Sequence, residues 1–176
     1  MFPEFLIELL DACGEKNIHR TVDTSGFADT RVLLEVAKRT DLFLYDLKLM
    51  DSEKHKKWIG VSNQLILENL KVLAETGANI NIRIPLIKNL NADEKELIEM
   101  ARFIAELPSN RRGLETASPG EKPAVNLLPY HNIAANKYNK LGSEYQEFDM
   151  AEPSQEEQNM AISIFKEFGI EVEIGG

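Results

Sequence analysis

Four short apolar runs limit what this chain can become: TVDT at 21–24, LFLYDLK at 42–48, NINIRIPL at 79–86 and AVNLLPYH at 124–131. Each is apolar at its start and polar at its end. Between them lie segments whose apolar residues recur at helical spacing. Asp29 can cap a helix burying Val32, Leu33, Val36 and Ala37, with Lys38 and Arg39 at its negative end. Ser62 can cap NQLILENLKVLAET, which stops at Gly77. Asn91 and Glu94 have capping-box spacing ahead of Leu97, Ile98, Ala101 and Ile104. Ser154 and Glu157 repeat it ahead of Met160, Ala161, Ile164, Phe165 and Phe168. Strand followed by helix, repeated, predicts parallel strands, because parallel neighbours need a crossover and a helix supplies it. The expected fold is α/β with right-handed crossovers, either an open sheet or part of a (β/α) barrel.

The flanking segments extend this order. Pro3 suits the first position of a helix that carries Leu6, Leu9, Leu10 and Cys13 on one side and ends at Gly14. MDSEKHKKW predicts a short helix with a solvated face, and IEVEI, after Gly169, alternates like an edge strand. Pro85 limits how far the ladder of its own strand can run. Residues 107–123, rich in Pro, Gly, Ser and charge, read as a mobile loop, and residues 1–176 as a single domain.

Composition removes several function classes. The net charge is −9 and the basic residues are scattered, which disfavours a nucleic-acid partner or an anionic membrane surface. No apolar run approaches the roughly 20 residues of a membrane span. A single cysteine, Cys13, precludes an internal disulfide and suits a reducing cytoplasm, and the first residues lack the features of a signal peptide.

What remains is a small-molecule site, and the polar strand ends indicate where. Side chains alternate along a strand, so Leu42, Leu44, Asp46 and Lys48 share one face, with the two charges at its C-terminal end. Asp23 and Thr24, Arg83 and His131 stand at matching places on the other runs. Ligands of α/β sheets and barrels bind at the C-terminal strand ends. Each residue also has a plain reading. Asp46 can pair with Lys48, and Asp23 before Thr24-Ser25-Gly26 fits turn chemistry. Arg83 can pair with a helix carboxylate, and His131 can cap a strand end. Four such coincidences at successive strand ends favour a common mouth. His19, His55, Trp58, Phe103 and Cys13 read as structural, and Gly175-Gly176 matches no phosphate loop.

Taken in order, VDTSGF, FLYDLKLMD, HKKWIGVSNQLILENL, IRIPLI and LLPYHNIAANKYNKLG resemble the glycyl-radical-enzyme activating enzymes. Pyruvate formate-lyase activating enzyme is the best known of these radical S-adenosylmethionine (SAM) enzymes. The resemblance runs from about Pro3 to the terminal EIGG. It implies a partial radical SAM (β/α) barrel and an oxidoreductase using SAM and a 4Fe–4S cluster. Reductive SAM cleavage would yield a deoxyadenosyl radical that takes hydrogen from a backbone glycine of a partner such as pyruvate formate-lyase. It further implies SAM contacts from Asp23, Thr24, Asp46, Lys48, Arg83 and His131. A monovalent cation would lie beside the SAM carboxylate, held by Asp23, Thr24, Asp46 and the Leu44 carbonyl.

Two features of the family are missing from these residues. There is no CxxxCxxC motif to ligate a cluster and no GGEP segment to bind the SAM ammonium. FPEFLIELL resembles the stretch directly after GGEP in that family, so roughly the first two strand–helix units are expected to be lacking. The chain alone is then expected to hold no cluster, since thiolates are its ligands. Three readings stay open: part of a longer activating enzyme; a split or degenerate module that binds SAM or a partner without radical chemistry; or a barrel aldolase using Lys48 as Schiff base. An incomplete barrel would expose the edge of the VDT strand and invite self-association.

Overall fold

The computed structural model describes residues 2–108, 122–131 and 150–175. The chain begins with α1 (Pro3–Glu15), then alternates β1 (Thr21–Thr24), α2 (Thr30–Ala37) and β2 (Leu42–Asp46). Two helices come next, α3 (Ser52–Ile59) and α4 (Gln64–Glu75), before β3 (Ile80–Leu86) and α5 (Glu94–Ala105). Beyond them lie β4 (Ala124–Pro129), α6 (Gln155–Glu167) and β5 (Val172–Ile174). The expected loop at 107–123 lies outside the described residues except at its ends, where Lys122 Nζ donates to the Leu107 carbonyl at 3.1 Å.

All five strands are parallel and lie in chain order, β1-β2-β3-β4-β5. The sheet is open, with β1 and β5 at its edges. Alternation explains its two faces. Phe43 and Tyr45 of β2, Ile80, Ile82, Ile84 and Leu86 of β3, and Val125 and Leu127 of β4 point to the helices and are buried. They pack with Leu70 and Leu73 of α4, Leu97, Met100 and Ile104 of α5, and Phe165 of α6. The opposite face carries Leu44, Asp46, Asn81 and Arg83, all half-buried. Burying one face removes the freedom to slip register, since a shift of one residue would turn every core side chain outward.

Several helix starts agree with the sequence. Asp29 accepts from Arg31 N and begins α2, and Ser154 with Glu157 forms the full capping box of α6. Others differ. Asp93, not Asn91, caps α5 by accepting from Glu96 N. Asn63 holds the cap position of α4, while Ser62 Oγ accepts from Gln64 N at 3.2 Å. β3 runs through Pro85 to Leu86, pairing with β4 from Asn81 onward, while its ladder with β2 stops at Arg83. The reason is register: the β2 ladder has ended by then, with Leu47 N donating to the Arg83 carbonyl, so the donor that proline lacks faces no strand. In α1, Leu10 is buried but Phe2, Phe5 and Leu9 are 81%, 67% and 47% exposed, so this helix has apolar residues on two sides. No helix among the described residues is long and apolar enough to cross a membrane.

Candidate functional site

Parallel register places one polar residue beside the next across the open face. Asp46 is paired with Arg83, Arg83 with Asn126, and Asn126 with Glu173, giving a single charged and amide row. Asp23 lies one row earlier on β1, opposite Leu44. Because arginine is long, Arg83 reaches Asp46 on the adjacent strand and Asp23 on β1 beyond it. Its Nη2 lies 2.5 Å from Asp23 Oδ1 and 2.6 Å from Asp46 Oδ1, and its Nε donates to Asp46 Oδ1 at 2.9 Å. Lys48 Nζ donates to the other Asp46 oxygen at 3.0 Å. Two carboxylates and two cations thus meet at the C-terminal ends of three strands. Burial alone would lower the Arg83 pKa, but Asp46 and Asp23 outweigh it and hold the guanidinium above its ordinary value.

Asp23, Asp46, Lys48 and Arg83 are therefore brought together. Arg83 pairs with strand-end carboxylates and not with a helix. Thr24 is adjacent, but its Oγ1 accepts from Gly26 N at 3.0 Å, a turn contact. The Leu44 carbonyl belongs to the row of Asp23. His131 stands exposed two residues beyond β4, with Nδ1 3.5 Å from Glu152 Oε1. On the same face, the Asn81 Oδ1 atom is buried with no hydrogen-bond partner among the described residues. A buried acceptor left in that way costs about 1–3 kcal/mol.

Four buried polar residues, none of them a site candidate on sequence grounds, hold the loops carrying this cluster. Asn69 of α4 donates to the carbonyls of Gly26 (2.8 Å) and Ala28 (2.9 Å), and its Oδ1 accepts from Thr30 Oγ1. Asn63 donates to the Leu49 and Met50 carbonyls at 2.9 and 2.7 Å. Asn91 donates to the Lys48 and Pro85 carbonyls and accepts from Ile87 N. Glu96 accepts from Met50 N and from Asp51 N. One helix, α4, thereby grips both the β1 loop and the β2 loop. A signal was available: Asn69 lies between Ile66 and Leu73 on the apolar stripe of ILENLKVL, where a polar residue requires an internal partner. Gly26 completes the β1 loop. It has φ +73°, and the Tyr45 hydroxyl, which donates to the Ile66 carbonyl, lies 1.6 Å from where a Cβ would stand.

Comparison with known proteins gives the geometry a context. No family model matches the chain. It is 42% identical over 173 residues to the trans-4-hydroxy-L-proline dehydratase activating enzyme of Clostridioides difficile, covering 98% of this chain and 54% of that protein. It is 37% identical over 147 residues to the choline trimethylamine-lyase activating enzyme of Oleidesulfovibrio alaskensis, covering 82% and 44%. The chain spans about half the length of the curated relatives it matches. The crystal structure of a domain of pyruvate-formate lyase-activating enzyme from Bacteroides vulgatus superposes with a TM-score of 0.80 at 38% identity, covering 99% of this chain and 91% of that one. The open parallel sheet is accordingly that of the radical SAM proteins. Within them, the chain belongs to the glycyl-radical-enzyme activating enzymes.

That family uses SAM and a 4Fe–4S cluster. The residues here fit the two groups unequally. SAM carries a sulfonium, an ammonium and a carboxylate, and the strand-end cluster offers both signs of charge within a few bonds' reach. A cluster needs thiolates. The one cysteine, Cys13, is half-buried on α1, and no group of three metal-ligating side chains exists among the described residues. The residues in hand do not fit a cluster.

Proposed function

We propose that this chain supplies the SAM-binding side of a glycyl-radical-enzyme activating enzyme whose partner is of the pyruvate formate-lyase type. The observation that carries the reading is the convergence of Asp23, Asp46, Lys48 and Arg83 at one strand-end mouth, in a chain 42% identical to an activating enzyme. When bound, SAM supplies the carbon–sulfur bond whose reductive cleavage begins the radical chemistry. Asp46 and Asp23 would hold a monovalent cation with help from Thr24 and the Leu44 carbonyl, since hard cations prefer oxygen ligands. Lys48 and Arg83 would take the SAM carboxylate, each as a charge-assisted donor. His131, exposed beyond β4, would meet the nucleoside. The relatives are named for different glycyl radical enzymes, which supports the partner class more firmly than the type.

These residues by themselves would not generate the radical, because they cannot ligate the cluster. Anaerobic reconstitution with iron and sulfide, followed by iron analysis, tests this. The expected result is no stoichiometric iron; a stable brown protein with about four irons per chain would contradict it.

A further inference from the structure

The candidate cation position is already filled, by the protein. We propose that the Arg83 guanidinium is a resident counter-cation that must leave the gap between Asp23 and Asp46 before a monovalent metal ion can enter. The inference rests on the reading of Asp23 and Asp46 as cation ligands and adds a competitor to it. Asp23 Oδ1 and Asp46 Oδ1 both converge on a single nitrogen, Arg83 Nη2, at 2.5 and 2.6 Å. An ion seated between those same two oxygens would compete with that nitrogen for the gap. The second Asp46 oxygen is engaged as well, since Lys48 Nζ donates to it at 3.0 Å.

Charge balance leads to the same result. Two carboxylates and two protein cations sum to zero, so an added ion would face two positive neighbours in a partly buried site. Displacing Arg83 relieves that repulsion and frees a guanidinium, still tethered to β3, for an anionic group on an incoming ligand. Cation and anionic ligand would then assist each other, and the assistance must be mutual by linkage. A fixed arginine between two acids thus becomes an exchangeable one. Its reach from β3, past Asp46 on β2 to Asp23 on β1, lets it serve either acid.

The test is a thermal-shift titration of the full chain with KCl, with ionic strength held constant by tetramethylammonium chloride. A bound ion raises the unfolding midpoint by mass action. Arg83→Met removes the competitor without removing a ligand, and should lower the KCl concentration giving half-maximal shift by about tenfold. Arg83→Lys, too short to bridge both acids, should fall between wild type and Arg83→Met. It also keeps a positive charge in the site should the methionine variant not fold. Adding Asp46→Asn to either variant should abolish the response. If potassium binds in an Asp46-dependent way but equally in wild type and in both Arg83 variants, the exchange is wrong and the cation reading stands. If no variant responds to potassium specifically, the cation reading itself is overturned, and the exchange with it.

Discussion

Asn91 shows how much one buried side chain can do. Its amide joins the Lys48 and Pro85 carbonyls where β2 and β3 have separated and a proline has no N–H to offer, and its oxygen takes Ile87 N. Replacing it with alanine leaves three polar backbone groups without partners, a cost on the order of 3 kcal/mol. Urea unfolding of Asn91→Ala should show that loss; a change below about 0.5 kcal/mol would mean that water or a neighbour satisfies those groups as well. Its spacing to Glu94 suggests a helix cap. The cap is Asp93, and only the chain's path past Pro85 reveals the task of Asn91. Glu96 permits a pH prediction. It is 3% exposed, and burial raises its carboxyl pKa despite donors from Met50 and Asp51. A raised folded pKa means that the native state holds the proton longer, so wild-type stability falls as pH climbs from the ordinary value through the raised one. Glu96→Gln keeps an oxygen acceptor and cannot ionise. It should match wild type near pH 4 and exceed it at pH 7 in chemical unfolding; stability curves that stay parallel would refute this.

At the level of elements, β1 and α1 together expose an unpaired strand edge and an apolar stripe. β1 has one ladder partner, and α1 carries Phe2, Phe5 and Leu9 along its outer side. Unpaired strand edges and apolar stripes promote association. The isolated chain is expected to self-associate through this surface, giving a light-scattering mass above that of the 19.9 kDa monomer that falls in Phe5→Glu. A monodisperse wild-type monomer would sink that expectation. Element types were legible wherever period and cap agreed, as in α6, where Ser154 and Glu157 both bond as their spacing implies. The outer side of α1 was less so. Leu6, Leu9, Leu10 and Cys13 fit one apolar face on paper, yet Leu9 belongs to the exposed stripe, and helical spacing alone does not say how many faces are covered.

Across the whole molecule, the strict parallel order turns a local habit, apolar early and polar late, into a mouth. Asp23, Asp46 and Arg83 are far apart in sequence and meet only because β1, β2 and β3 are neighbours in register. The strand ends themselves could be read in sequence. The contacts among them could not, since arginine's reach across two strands depends on register. Nor could the grip of α4 on both loops, which depends on where that helix lies. The central claim is that this mouth binds SAM. Isothermal titration of SAM into the full chain in potassium buffer, beside Asp46→Asn and Lys48→Ala, tests it directly. Binding by wild type with a loss of at least about tenfold in each variant is expected, as for removal of a charge-assisted hydrogen bond. No binding by wild type, or equal affinity in all three, would contradict it.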